Sequence, residues 1–192
     1  GEIVRMKSKK NTFVSRAAVG CVTTAIFLLL CIIKGIYPFG IATLDTVDFQ
    51  SQWIPAYYHV WDVLHGDGSA FFDWRVGGGN NFAGVSAQFS LFSPFNLFFL
   101  FVKRSWIEKS MIVFIIIKLL AMGYGMRWFL KEQILKKERY GIYILAGSVG
   151  YAVNGYTLLY YGMGWLDVAA ILPLLCYFFC RMAEREGDWR PG

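Results

Sequence analysis

Charged side chains are scarce in this sequence: Asp, Glu, Lys and Arg make up 17% of its 192 residues, where soluble domains carry about a quarter. Histidine is scarcer still, with two residues. Of the four cysteines, Cys21, Cys31, Cys176 and Cys180, every one falls inside an apolar run. That placement excludes a disulfide framework or a zinc site in the polar part of the chain, and the thiols are read as small packing residues. The net charge is +6, yet the basic residues sit in short clusters beside apolar runs. They form no continuous face that could track a phosphate backbone, so nucleic acid is not a partner. What the sequence has in abundance is apolar surface, with 56% hydrophobic and 18% aromatic residues and a mean hydropathy of +0.45. A soluble domain cannot hide that much, whereas a lipid bilayer requires no hiding. The expected class is an all-α integral membrane protein.

Four stretches are long and apolar enough to span: 17–38, 107–130, 141–162 and a shorter one at 165–181. The first covers about 22 positions, enough for a hydrocarbon core of about 30 Å. It is too long for a signal peptide, and no small-residue cleavage site follows it. Gly147, Gly150 and Gly155 offer close helix contacts in the third span, Pro173 marks a kink in the fourth, and Gly162–Gly164 forms the turn between them. The polar segments then divide by charge. The tail at 1–16 carries Arg5, Lys7, Lys9, Lys10 and Arg16; the 131–140 connection carries Lys131, Lys136, Lys137 and Arg139; the 182–192 tail follows Arg181 and carries Arg185 and Arg190. All three fall on one side of a four-span chain, which the excess of Lys and Arg makes cytoplasmic. The 39–106 loop is then extracytoplasmic. The polar end, Glu184 to Gly192, lacks any closing element, so the chain reads as cut from something longer.

The loop at 39–106 is far longer than the handful of residues a connector needs. It holds Asp45, Asp48, Asp62, Asp67, Asp73 and both histidines, His59 and His65. Its first half, 48–65, reads as an interfacial helix. Trp53, Tyr57, Val60, Trp61 and Leu64 recur at spacings of three and four, a stripe read as an anchor in the membrane interface. Gln52, Ala56, His59 and Asp62 make a more polar stripe beside it. Pro55 means that the helix bends or begins there. His59, Asp62 and His65 lack the tight pair spacing of metal ligands and are read as ordinary polar-face residues. The Gly77–Gly79 loop lacks the lysine and the strand-to-helix setting of a phosphate loop. Ser93 and Pro94 read as cap and first residue of a second interfacial helix over 94–102.

Within this loop, Asp48-Phe49-Gln50-Ser51-Gln52-Trp53-Ile54-Pro55 resembles the D-x-x-x-Q-[YW]-x-P signature of the YfhO family of bacterial membrane proteins. Leu64-His65-Gly66-Asp67-Gly68, Phe72-Asp73-Trp74 and Gly77-Gly78-Gly79-Asn80 are similar to that family's later segments. Ser93-Pro94-Phe95-Asn96-Leu97 matches its S-P-x-N-L stretch, and Trp165-Leu166-Asp167 to Pro173-Leu174 resembles a further one. Order and spacing are kept over most of 15–180. The resemblance implies a GT-C type glycosyltransferase, with this chain as its N-terminal module, inactive on its own. It would take a sugar from a polyprenyl-phosphate donor and place it on a cell-envelope polymer, such as lipoteichoic acid, at the outer bacterial surface. An inverting transfer needs a carboxylate to deprotonate the acceptor hydroxyl. Asp48, one turn before Gln52, is the first choice and Asp45 the second, with helix capping the ordinary alternative for either. Gln52 and His59 are counted with the substrate-binding side chains. Arg75 is a phosphate contact or a plain surface arginine. Lys118, deep in the second span, faces the donor phosphate or pairs with a carboxylate; Asp167 is read as a helix-start carboxylate. No cofactor is called for, and a divalent cation stays open.

Two other classes compete with the enzyme: a transporter or flippase for lipid-linked sugars, and a non-catalytic envelope-assembly protein. A transporter is expected to carry its polar residues inside the spans, where only Lys118, Asn154 and Lys34 qualify. The topology is tested in intact cells with the four native cysteines replaced. Asp67→Cys is expected to react with an impermeant thiol reagent and Lys136→Cys to be protected; the reverse labelling overturns the orientation.

Overall fold

The computed structural model describes residues 2–44, 48–85, 93–135, 141–161 and 164–186. Asp45, Lys136, Lys137, Arg139, Gly162, Met163 and Arg190, all used in the sequence reading, lie outside them. The described residues are mostly helical, with two isolated bridges, Ile36 to Ala42 and Asp73 to Asn80, as the β-type pairings among them. Four helical stretches are long and apolar enough to cross a membrane: Arg16–Ile33, Arg104–Ile134, Gly141–Leu159 and Leu166–Glu184. The protein is an all-α integral membrane protein.

Helix α1 (Glu2–Ile33) stops at Ile33, short of the expected position 38. Gly35 adopts φ +60°, its N–H bonds the Ile32 carbonyl at 3.0 Å, and the Ile36 N–H bonds the Cys31 carbonyl at 2.8 Å. These two bonds make a Schellman stop, which needs a left-handed residue that glycine supplies without strain. The segment between the first two candidate spans repeats the device. A π-turn at Phe49–Trp53 leads into α2 (Ile54–Leu64), so Pro55 sits in a first turn, where its missing N–H costs nothing. At the far end Gly66, φ +83°, closes α2: its N–H bonds Val63 at 3.2 Å and the Asp67 N–H bonds Asp62 at 2.8 Å. A one-turn α3 (Phe82–Val85) follows, then a 3-10 helix at Pro94–Phe101. Ser93 caps the latter, its hydroxyl accepting the Phe95 N–H at 3.2 Å. The remaining helices are α4 (Ile107–Phe129), α5 (Gly141–Ala152), α6 (Gly155–Leu159) and α7 (Leu166–Glu186). The third apolar stretch is therefore interrupted: the Asn154 side chain donates to the Tyr151 carbonyl at 2.8 Å, a local bond that competes with helix continuation.

The chain divides into two compact units. One comprises Gly1–Phe27, Leu119–Asn154 and Ala169–Gly192, the other Leu28–Lys118 and Gly155–Val168. In the first, a Cβ on Gly123 would stand 3.2 Å from Val19 Cγ1 and 3.6 Å from Ala152 Cβ, so this glycine lets α4 approach α1 and α5 closely. Gly150 and Gly155 meet nothing within 4 Å. The expectation that they mediate helix contact is corrected: a small residue permits an approach, and the register decides whether it happens.

In the second unit, Trp53, Tyr57 and Val60 are buried, which corrects their reading as an anchor in lipid. Tyr57 stands 5.3 Å, centroid to centroid, from both Phe99 and Phe114, and those two are 5.0 Å apart. Trp53 meets Trp165 edge-on at 6.1 Å. The stripe packs on protein, and each aromatic pair adds about 0.5–1.5 kcal/mol beyond burial.

Pro173 lies inside α7 and has no N–H to give the carbonyl four residues back, that of Ala169. The Tyr151 hydroxyl donates to that same carbonyl at 2.7 Å. Tyr151→Phe is expected to cost about 1 kcal/mol, the net worth of one hydrogen bond. The cost should vanish in a Pro173→Ala background, where the helix supplies its own donor. Denaturant unfolding of the four proteins of this cycle checks it, and equal costs in both backgrounds would show the bond to be incidental.

Candidate functional site

The Schellman stop at Gly66 turns the chain back so that the 67–80 segment lies alongside α2. Asp73 and Asn80 exchange both backbone bonds, at 3.1 and 3.2 Å, and close the glycine loop at its neck. Arg75 leaves that neck. Its Nε and Nη2 bond the Asp73 carboxylate at 3.0 and 2.7 Å, its Nη2 also reaches the Asp67 carbonyl at 2.9 Å, and its Nη1 reaches Asp62 Oδ2 at 3.1 Å. The Arg75 hydrogen bonds hold the Asp73 carboxyl well below the usual carboxylate range. This clasp is complete above the unfolded carboxyl pKa of about 3.9, and its stabilisation is lost only as pH falls below that value toward the folded one.

Asp62 joins a second arginine to the first. Its Oδ1 accepts from Arg104 Nε at 2.8 Å, across 42 residues of sequence, so one nearly buried carboxylate holds two half-exposed guanidiniums. Arg104 also lies over the Tyr58 ring at 4.9 Å, and the Tyr58 hydroxyl donates to Glu108 at 3.3 Å. A guanidinium has five N–H donors. Among the described residues Arg75 spends four of its own, whereas Arg104 spends two, on Asp62.

These groups line a cavity of about 870 Å³ whose polar wall includes Gln50, Gln52, Tyr58, His59, Asp62, Arg75, Arg104 and Glu108. A second cavity of about 340 Å³ shares Gln50, Ile54 and Glu108 with it and is otherwise mainly apolar, with Ile36, Leu44, Phe49 and Ile112 in its wall.

Of the residues singled out from sequence, Gln52, His59 and Arg75 come together in the larger cavity. His59 Nε2 sits 3.1 Å from the Ser69 carbonyl and 3.9 Å from Asp73, while His65 is exposed and stacks on Trp61 at 3.8 Å. Asp48 is exposed, and its side chain does not cap the turn that follows; its backbone carbonyl takes the Gln52 N–H at 2.9 Å. Lys118 is elsewhere. Its ammonium is buried, 2.7 Å from Asp167 Oδ1, with the Phe114, Phe95 and Tyr57 rings at 4.5, 5.8 and 5.9 Å. Of the two readings of Lys118, the structure shows the pairing with a carboxylate, and Asp167 is more than a helix start. Burial and the nearby Asp167 charge push the Tyr57 hydroxyl up. Arg104 and Glu108 went unnoticed in sequence, because Lys103 to Lys109 reads as an ordinary charged flank of a span. Among the described residues no three His, Cys, Asp or Glu groups gather where a metal could be held.

Removing one partner of a buried ion pair strands the other. Lys118→Met is expected to destabilise by about 3–5 kcal/mol, and Lys118→Met with Asp167→Leu to recover most of that loss. Thermal unfolding in detergent reads both, and an additive double variant would mean that the charges do not depend on each other.

Comparison with curated proteins and with solved structures gave no match. The model of one protein family, described as bacterial membrane protein YfhO, matches residues 20–186. The match takes in the segment between the first two candidate spans, with its two cavities, and all four candidate spans apart from the first few residues of α1's, and on that evidence the chain belongs to the YfhO family of bacterial membrane proteins.

Proposed function

We propose that this chain is the N-terminal portion of a GT-C type membrane glycosyltransferase that moves a sugar from a polyprenyl-phosphate donor to a cell-envelope polymer, such as lipoteichoic acid, on the outer face. The observation that carries the reading is the adjoining pair of cavities, one with two arginines in its wall and the other lined mainly by aliphatic side chains, with Gln50, Ile54 and Glu108 common to both. A lipid-linked sugar has the same two-part character. Its isoprenoid suits the wall of Ile36, Leu44, Phe49 and Ile112, and its phosphate suits the unspent donors of Arg104. Arg75, fixed by Asp73, adds charge beside it, and Gln52 and His59 are placed to bond sugar hydroxyls.

In the inverting reaction a carboxylate takes the proton of the acceptor hydroxyl as that oxygen bonds to the anomeric carbon. The bond from that carbon to the phosphate oxygen breaks, and the bonding pair leaves with the phosphate. Guanidinium donors stabilise the charge that develops there. Asp48 is assigned as the base: it is exposed and free of capping duty, and although it lines neither cavity it shortly precedes Gln50 and Gln52, which line the larger one. Asp45 remains the second choice. The reading also requires the 39–106 loop to face outward, where the envelope acceptor is.

The test uses the full-length protein in membranes and a polyprenyl-phosphate sugar donor. Asp48→Asn should lower kcat by at least about 100-fold, the span of general-base effects, with insertion unchanged. Arg104→Gln should raise the donor KM at least about tenfold, consistent with a lost charge-assisted bond. Full transfer by Asp48→Asn together with loss in Glu108→Gln would move the base to Glu108, and transfer unaffected by all three variants would refute the site.

A further inference from the structure

The other unit holds a cavity that the proposed reaction does not use. It measures about 260 Å³ and is lined by Arg16, Tyr124, Arg127, Trp128, Lys131 and Glu132. Three cations face one carboxylate, and that carboxylate is drawn to Lys131, with Oε1 3.6 Å from Nζ. Arg127 is the unusual member. It is 7% exposed, and its Nε is buried without a hydrogen-bond partner; no ion pair to it occurs among the described residues. A guanidinium taken out of water normally brings a counter-charge with it, and here the described residues provide none in contact.

Depth identifies the missing partner. Arg16 opens the apolar stretch of α1, and Lys131 lies near the end of the stretch that contains α4, so the cavity stands where two spans meet the headgroup layer. Tyr124 and Trp128 are 41% and 45% exposed, as aromatic residues at that level are. Basic pockets between spans at this depth suit phosphate headgroups, and a planar guanidinium bonds two phosphate oxygens at once.

We propose that the Arg16–Arg127–Lys131 cavity binds the phosphate ester of an anionic phospholipid, which supplies the counter-ion to Arg127. The site is independent of the sugar-transfer reading, since it shares no residue with either cavity of the outer segment.

The full chain is placed in nanodiscs of phosphatidylcholine with or without phosphatidylglycerol, and lipid retention is read by native mass spectrometry. Phosphatidylglycerol is expected to be retained about tenfold more than phosphatidylcholine, and Arg127→Gln to abolish the preference. Arg16→Gln and Lys131→Gln, which change more exposed side chains, should each weaken it even if Arg127→Gln fails to fold. A parallel titration of the phosphatidylcholine sample with inorganic phosphate separates the sources. A calorimetric response to phosphate with no phosphatidylglycerol preference would overturn the lipid assignment in favour of a soluble phosphate. Equal retention of both lipids without a phosphate response, or wild-type preference in Arg16→Gln and Lys131→Gln, would overturn the site itself.

Discussion

A bilayer interior offers no hydrogen-bond partners, so every polar group carried into it must be answered from within the protein. Much of this structure follows from that constraint. Lys118 enters the second span with Asp167 at 2.7 Å and aromatic faces around it. Pro173 frees a carbonyl in the fourth, and a tyrosine hydroxyl takes it. In the segment between the first two candidate spans the same economy recurs: Asp62 is nearly buried and answers two guanidiniums together. What the protein leaves unanswered is correspondingly informative, whether the spare donors of Arg104 or the buried Nε of Arg127.

The segment between the first two candidate spans is held together by contacts in its core. Tyr57, Phe99 and Phe114 fix α2 to the 3-10 helix and to α4, and the Trp61 indole donates to the Val102 carbonyl at 2.7 Å. These contacts hold one wall of the larger cavity, while the clasp of Arg75 on Asp73 holds another. Positioning of this kind is what a transfer reaction needs, because misplaced charge stabilises no transition state.

Local grammar made much of the fold legible in the sequence. Long apolar runs marked the spans, and Ser93-Pro94 marked a capped helix. Lys34-Gly35 carried an equally clear stop signal but was passed over, because hydrophobicity continues to Pro38 and obscures it. The spacing of Trp53, Tyr57 and Val60 identified a face without identifying what the face meets, since lipid and a protein core reward the same side chains. Of the candidate site, Gln52, His59 and Arg75 could be picked out because each stands in a segment of unusual composition. The link from Asp62 to Arg104 could not: it spans 42 residues and exists only once the Schellman stop and the aromatic core have brought the segments together. Of the three glycines expected at helix contacts, Gly147 lies close to Leu130 while Gly150 and Gly155 meet nothing within 4 Å, as register is a property of two helices and neither sequence holds it alone.

The bond from Tyr151 to the carbonyl released by Pro173 works as a detent between two helices. A slide of a single residue along α7 would carry the Ala169 oxygen about 1.5 Å away, and the neighbouring carbonyls are already engaged within their own helix. An ordinary helix presents no such preferred stop, because its carbonyls are equivalent and all are occupied. The proline therefore sets a reference mark on α7, and α5 is indexed to it.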